Sequence, residues 1–302
     1  PSMWASYVVN YHQGLRKNGT PVLPERSDPN LALGPPDSGV AGPPVKFFSL
    51  GFGGWIILGF PHIIANGPGN DALVIETTWG AYPLESADVY ASQDGGTWVY
   101  AGSVNNVNKQ GVVSLPESLA WVLYVKIVDT TNPAPFGPDA DGYDLDAAGA
   151  YYYYTAIPVY VDIKPGSWPN PINVASMGVF AVAICGTKDF DVMLVSPETV
   201  EIYAEGIEEG VPPIWWSYED VATPYTGPPG GGHALEGDGY LDLVFHFDTQ
   251  TVVNTLHLYD HVGETIPLII RGYLIVCFTP FIGQDYVRIL APRRCSPKLF
   301  PY

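Results

Sequence analysis

Proline and glycine recur along the whole chain and limit the secondary structure that it can form. The 302 residues include 30 prolines and 33 glycines, whereas an average protein has about 5% proline and about 7% glycine. Proline cannot continue a helix or sit in a central strand, and glycine costs backbone entropy in both. Hydrophobic residues still make up 47% of the chain, enough for a packed core. The composition therefore predicts an all-β protein of short strands and many turns.

The charge balance excludes nucleic acid as a partner. The chain carries 13 Lys and Arg against 31 Asp and Glu, a net charge of −18 at pH 7, and a phosphate backbone is bound by clustered basic residues. No apolar stretch is long enough to cross a bilayer without proline, glycine or a charge, so we expect no membrane span. The first residues lack the basic and apolar regions of a secretion signal, and we expect that any signal has been removed.

Strand-like runs fill both halves of the chain. The clearest hairpin joins 87–92 to 97–101 across Asp94 and Gly95, residue types that supply the positive φ of a tight turn. In the second half, 252–258 reads as a strand, whereas 207–233 reads as a loop that carries Trp215 and Trp216.

Four consecutive tyrosines at 151–154 mark the boundary between the halves, and no repeat relates one half to the other. We therefore predict two tandem β-sandwich domains of jelly-roll type, 1–154 and 155–302.

The first predicted domain resembles the discoidin-like, or galactose-binding-like, jelly rolls of secreted proteins, in a version found at the surface of archaea and environmental bacteria. The matching motifs are GLRKNGT (14–20), RSDP (26–29), ALG (32–34), SLGFGG (49–54), SQDGGTW (92–98), YVKIVD (124–129) and DADGYDLDA (139–147). The resemblance implies an extracellular location and names no reaction.

The second predicted domain resembles a β-sandwich module that recurs in the same kind of surface protein. The matching motifs are DIKPGS (162–167), PNPIN (169–173), GTKDFDV (186–192), GDGYLDLV (237–244) and VRIL (287–290). These motifs specify an architecture and leave the function open.

Two acidic loops are candidate calcium sites. The first places Asp139, Asp141, Asp144 and Asp146 within eight residues, and Ca²⁺ takes six to eight oxygen ligands at about 2.3 to 2.6 Å. The resemblance adds that discoidin-like proteins often hold a structural calcium in such loops. The alternative is a solvated acidic turn whose carboxylates bond their own backbone.

The second loop supplies Glu236, Asp238 and Asp242 and is similar to the calcium-loop pattern D-x-N-x-D-G-x-x-D. Its first two ligand positions are Ala234 and Glu236, so one oxygen donor is missing. A plain β-turn at Asp238 and Gly239 is the alternative.

The three cysteines allow at most one disulfide and one free thiol. Cys185 and Cys277 lie in strand-like runs, where a buried free thiol competes with a 185–277 bridge. Cys295, in a polar tail, is the candidate for intermolecular pairing. Asn18 begins the triplet Asn-Gly-Thr, an acceptor pattern for N-glycosylation.

We expect no enzyme, because the sequence has no GxSxG, HExxH, Walker or GxGxxG-plus-acid pattern. A calcium-dependent hydrolase would need two facing carboxylates with raised pKa values in a cleft.

Loop aromatics favour binding over catalysis. Aromatic side chains stack on sugar rings and also mark protein interfaces. The loop-like aromatics are Trp79, Tyr82, Trp168, Trp215 and Trp216. A sugar-binding monomer should show a groove with two or more coplanar aromatic rings.

Aromatic residues at both chain ends and at the boundary favour the interface alternative. The predicted assembly residues are Trp4, Tyr7, Tyr11, Tyr152, Tyr154, Phe300 and Tyr302. We predict a structural subunit of an extracellular filament, sheath or surface layer, in which an N-terminal strand pairs with the sheet of the next copy. The alternative is a secreted carbohydrate-binding or adhesion module that acts as a monomer.

Overall fold

The computed structural model describes residues 1–38, 45–77, 82–107, 110–276 and 278–292. The chain divides into two compact units, Pro1–Thr155 and Ala156–Tyr302. Both units are built from mainly antiparallel sheets, with two short parallel pairings in the second unit, which confirms the all-β prediction. Among the described residues, no helix has the length and apolar character that a membrane crossing needs.

The described residues of the first unit form eleven strands in two sheets. They are β1 (Met3–Trp4), β2 (Tyr7–His12), β3 (Phe48–Ser49), β4 (Trp55–Ala65), β5 (Ala72–Glu76), β6 (Ser86–Ser92), β7 (Val99–Asn105), β8 (Gln110–Val113), β9 (Trp121–Asp129), β10 (Asp144–Ala150) and β11 (Tyr153–Tyr154). One sheet has the order β1-β10-β5-β8, with β3 also on β10, and the other has the order β11-β4-β9-β6-β7, with β2 also on β4.

Alternating apolar residues of both sheets form the core of this unit. Ile56 and Leu58 of β4 lie opposite Ile127 and Val125 of β9, and all four are at most 2% exposed. Val74 of the other sheet belongs to the same buried cluster. The two sheets therefore enclose one core, as in a β-sandwich.

The predicted hairpin is confirmed as β6 paired with β7. Gly95 has φ +75° at its turn. The Asp94 carboxylate accepts hydrogen bonds from the backbone of Gly96 and Thr97, and these bonds, the one from Thr97 first, lower the pKa of Asp94.

In the part of the second unit that the structure describes there are nine strands and one α-helix. They are β12 (Ile157–Pro158), β13 (Val161–Ile163), β14 (Pro171–Asn173), β15 (Val179–Ile184), β16 (Val195–Ala204), β17 (Trp215–Glu219), β18 (Asp242–Asp248), α1 (Thr249–Thr255), β19 (Thr265–Leu274) and β20 (Pro280–Leu290). One sheet has the order β12-β20-β19-β16, with β14 also on β20, and the other has the order β13-β15-β18-β17.

Two segments of this unit differ from the sequence-based prediction. The expected strand at 252–258 is mostly helix α1, because the Asp248 carboxylate caps it by accepting from Thr251 N at 2.8 Å. Trp215 and Trp216, expected in a loop, begin the edge strand β17. Pairing with β18 makes this segment a strand despite the surrounding prolines and glycines.

Candidate functional site

A groove runs over one face of the β13-β15-β18-β17 sheet. It measures about 810 Å³ and is lined by Lys164, Ala181, Trp215, Glu219, Glu236 and His246, among others. The opposite face of the sheet carries Phe180, Phe245 and Phe247, which are almost fully buried. We call the groove on the other side the outer-sheet groove.

Strand register places two aromatic rings at the floor of the outer-sheet groove. Trp215 lies opposite His246, which in turn lies opposite Ala181. The Trp215 and His246 rings stack with centroids 3.4 Å apart and planes within 9°. Because Ala181 is small, open space remains beside this pair. Trp215 is 46% exposed.

His246 adds an uncharged ring to this pair. Burial lowers the pKa of His246, and the nearby Glu219 opposes that shift. An unperturbed histidine has a pKa of about 6.5. The lowered pKa therefore leaves the His246 ring mostly neutral at pH 7. The floor of the groove is thus aromatic and without charge.

Carboxylates line the rim of the groove. Glu219 accepts a hydrogen bond from Ser217 Oγ at 2.5 Å. Glu236 lies next to the turn at Gly166. Its Cγ is 3.8 Å from the position that a Cβ would occupy if Gly166 carried a side chain. Asp220 is the third carboxylate and accepts from the backbone of Asp238 and Gly239 at 2.9 and 3.0 Å.

The lysine at the rim does not balance these charges in the groove. Lys164 Nζ donates to the carbonyl of Pro171 at 2.8 Å, and burial lowers the pKa of Lys164. Its ammonium group is therefore held by the backbone, and the groove presents an excess of negative charge.

One buried carboxylate holds the segment that forms the wall of the groove. Asp242 is 0% exposed. Its Oδ2 accepts from the backbone of Val221 and Ala222 at 2.9 and 2.8 Å, and its Oδ1 accepts from Gly186 at 3.0 Å. Burial raises the pKa of Asp242, and these three bonds oppose the rise.

A second polar site lies in the same unit, against the segment that follows Ala222 in the chain. A cavity of about 10 Å³ is lined by Asp162, Asn170, His233 and Asp285. Asp285 accepts from Ile163 N and Asn170 Nδ2, both at 2.8 Å. Among the described residues, Asp162 Oδ2, Asn170 Oδ1 and His233 Nε2 have no hydrogen-bond partner.

Burial is the main cause that raises the pKa of Asp162 to about 7, followed by repulsion from Asp285 and Asp242. Burial also raises the pKa of Asp285. Asp162 is only 7% exposed, so this carboxyl group is largely protonated in mildly acidic solution.

The first predicted calcium loop spreads its carboxylates over separate partners. Asp139 pairs with Arg16 at 3.4 Å, and Asp141 pairs with Arg26 at 3.1 Å. Asp146 accepts from the Ser38 hydroxyl at 2.6 Å. Burial, and then repulsion from Asp141, raises the pKa of Asp144 well above its usual range.

In the second predicted calcium loop, two of the three carboxylates accept from backbone N–H groups. Asp238 accepts from Tyr240 N at 3.1 Å, and the backbone carbonyl of Glu236 accepts from Thr223 Oγ1. Asp242 binds three backbone N–H groups, as described above. Within the described ranges, no group of three or more acidic, histidine or cysteine side chains is arranged to hold a metal ion. Calcium in either loop stays a prediction.

The predicted assembly residues have different environments. Tyr7 and Tyr11 of β2 are 45% and 44% exposed, and Tyr152 is 37% exposed. Tyr154 is half-buried in β11, and the half-buried Trp4 packs against Gly149. Phe300 and Tyr302 lie outside the described residues.

The remaining predicted sites are only partly covered by the structure. Asn18 lies in an exposed turn, where its Oδ1 accepts from Thr20 N at 3.0 Å, and its glycosylation stays a prediction. Cys185 is a buried free thiol. Cys277, Cys295 and Trp79 lie outside the described residues.

Sequence reasoning missed most of the outer-sheet groove. It selected Trp215 and Glu236 but assigned them to different roles, and it did not select His246. The sequence signal for His246 was the strand-like run 242–248. Side chains alternate between the two faces of a strand, so His246 lies on the same face as Val244. Nothing in the sequence pairs that strand with Trp215, 31 positions earlier.

The structure is that of an all-β protein with an open groove on one sheet face. No family model matches the chain, and no curated protein matches it. Among solved structures, the C-terminal domain of a chitobiase from Bacteroides fragilis aligns with 32% of this chain, at 16% identity and a TM-score of 0.25. The alignment covers 62% of that domain. At this TM-score the similarity carries no functional argument.

Proposed function

We propose that the protein is an extracellular carbohydrate-binding module that holds an oligosaccharide in the outer-sheet groove. The observation that carries this proposal is the exposed Trp215 ring, stacked face to face on His246, at the floor of an open groove. Sugar rings present apolar C–H faces, and exposed aromatic rings bury such faces at little entropic cost. The extracellular location belongs to the proposal and is supported by the resemblance of both halves to surface proteins.

The size and polarity of the groove support the same ligand class. Small-molecule sites usually enclose about 300 to 1,000 Å³ and combine apolar contacts with a few polar groups, and this groove measures about 810 Å³. Glu219, Asp220 and Glu236 can accept hydrogen bonds from sugar hydroxyls. The groove therefore has room and partners for several sugar units.

Binding without catalysis is part of the proposal. Asp162 and Asp285 both have raised pKa values, which is the pattern that a hydrolase would need. They line a cavity of about 10 Å³, which is close to the space of a single water molecule. A sugar unit does not fit between them.

Replacement of Trp215 by alanine should weaken oligosaccharide binding about 30-fold, because aromatic residues at a binding centre contribute about 2 kcal/mol or more. The measurement is isothermal titration of the full chain with oligosaccharides selected on a glycan array.

Trp216→Ala is the matched control. Trp216 belongs to the same strand and is 42% exposed, but it points to the other face, with its ring 6.5 Å from Phe245. It should change the dissociation constant less than about twofold. Equal losses in both variants, or no oligosaccharide bound by the parent chain, would reject the groove as a sugar site.

A second candidate function, the structural subunit of an assembly, is supported by strand β2. This strand pairs only with β4 in the described part of the chain, and Tyr7, Val9 and Tyr11 are 44% to 45% exposed. An apolar edge strand offers unpaired backbone groups to a further strand. A second copy of this chain could pair there.

Val9→Lys should prevent assembly through β2, because a lysine on an edge strand blocks strand addition. Negative-stain microscopy and light scattering of concentrated protein should show ordered polymers for the parent chain and monomers for the variant. Val107→Lys, at a site that is 72% exposed in a turn, should still polymerise. Monomers in all three samples would remove this candidate.

A further inference from the structure

The charges of the outer-sheet groove specify the kind of sugar. We infer that it binds oligosaccharides of hexosamines whose amino groups are free and protonated. This inference rests on the proposed function, and it adds the ligand class to that site.

Among the described residues that line the groove, three are carboxylates, and the single ammonium group is hydrogen-bonded to a backbone carbonyl. Glu219, Asp220 and Glu236 line the groove, and Lys164, the basic residue among its lining residues, donates to Pro171 O at 2.8 Å. His246 contributes a ring that is mostly neutral at pH 7, because burial lowers its pKa. A ligand in the groove therefore meets an apolar aromatic floor and a negative rim.

Two of the carboxylates keep an oxygen for a ligand. Glu219 receives its bond from Ser217 on Oε1, which leaves Oε2 for a second donor. The Glu236 side chain is exposed and stands beside Gly166, at ordinary van der Waals distance from the position that a Cβ would take there. Asp220 differs, because both of its oxygens accept from backbone N–H groups, so it contributes charge more than contact.

The chain as a whole strengthens this selectivity. A net charge of −18 repels uronic acids, sulfated sugars and phosphate-containing polymers, and it attracts cationic chains over about a Debye length. Neutral sugars would gain the stacking on Trp215 and hydrogen bonds from their hydroxyls, without an ionic contact. A protonated amino sugar gains both the stacking and the ionic contacts with the rim.

The test compares three oligosaccharides of equal length by isothermal titration near pH 6: glucosamine, N-acetylglucosamine and glucose hexamers. The glucosamine hexamer should bind roughly tenfold more tightly than the other two, since each rim contact is a partly exposed ion pair of modest strength. Raising the salt from about 0.05 M to about 0.5 M should remove most of that preference.

The double variant Glu219→Gln/Glu236→Gln should bind all three hexamers equally. Glu208→Gln/Glu209→Gln, which removes two exposed carboxylates that are not among the groove's lining residues, is the matched control and should keep the preference. Circular dichroism checks that both variants are folded.

The outcomes separate this inference from the proposed function. Equal, Trp215-dependent binding of the three hexamers would overturn the amino-sugar inference and leave the sugar site in place. No binding of any hexamer would overturn both. A lysine hexamer that binds as tightly as the glucosamine hexamer, without dependence on Trp215, would show a general cation surface and also overturn the inference.

Discussion

Asp242→Ala should lower the free energy of unfolding by about 3 to 5 kcal/mol. The substitution leaves the backbone N–H groups of Gly186, Val221 and Ala222 without their common acceptor, and each buried donor left unsatisfied costs about 1 to 3 kcal/mol. The midpoint of thermal unfolding should fall on the order of 10 °C. Urea denaturation followed by circular dichroism measures the first value, and calorimetry measures the second.

Asp238→Ala is the control for this prediction. Asp238 belongs to the same loop but is exposed, and its carboxylate accepts one bond from Tyr240 N within its own turn. Its loss should cost less than about 1 kcal/mol. If the two variants were equally stable, Asp242 would not be the anchor of the groove wall. Added calcium that stabilises the parent chain but not Asp242→Ala would instead support the ligand role expected from the sequence.

Asp162→Asn should make the protein more stable than the parent at about pH 8 and about equally stable at about pH 4. The pKa of Asp162 is raised to about 7 in the folded state, whereas an aspartate in an unfolded chain titrates near 3.9. Below about pH 4 both states are protonated, and the folded state suffers no penalty. Asparagine remains neutral at every pH, so the variant does not lose the stability that the parent chain loses as the pH rises.

The parent chain loses the stability contributed by Asp162 between about pH 4 and about pH 7. In this window the unfolded chain releases its proton first, so the stability contributed by Asp162 falls by about 1.4 kcal/mol per pH unit. The total is up to about 4 kcal/mol and is complete above about pH 7. Asp144 and Asp285, whose pKa values are also raised by burial, act in the same direction in both proteins.

The measurement is urea denaturation of parent and variant at several pH values, and the difference between the two curves isolates Asp162. Asp260→Asn, at an exposed position, should leave the curve of the parent unchanged. A difference between parent and Asp162→Asn that does not vary with pH would show that Asp162 ionises normally in the folded protein.

Local sequence signals predicted the structure correctly where the interacting residues are close together in the chain. The hairpin between β6 and β7 depends on Asp94 and Gly95, which lie between the two strands that they join. The abundance of proline and glycine correctly predicted strands over long helices. The short helix α1 was missed, because its threonines and valines favour strands and only the cap at Asp248 reverses that preference.

The site could not be predicted, because its parts come from distant segments. The spacing of Asp238 and Asp242 fits a calcium loop, and a sequence shows carboxylates without showing their donors. The backbone groups that bind Asp242 belong to residues 20, 21 and 56 positions away. Likewise, the stack of Trp215 on His246 requires the register of β17 on β18, which no local pattern specifies.

The two carboxylates that hold the groove wall make the segment between them replaceable. Asp242 binds the backbone at Val221 and Ala222, and Asp220 binds it at Asp238 and Gly239. Together with the Thr223 hydroxyl, which donates to the Glu236 carbonyl, these contacts fix both ends of the segment 224–235 without its own side chains. Segments of other lengths and compositions can be exchanged there while the sheet and its aromatic floor stay the same, so this protein offers a scaffold on which new ligand preferences can be selected.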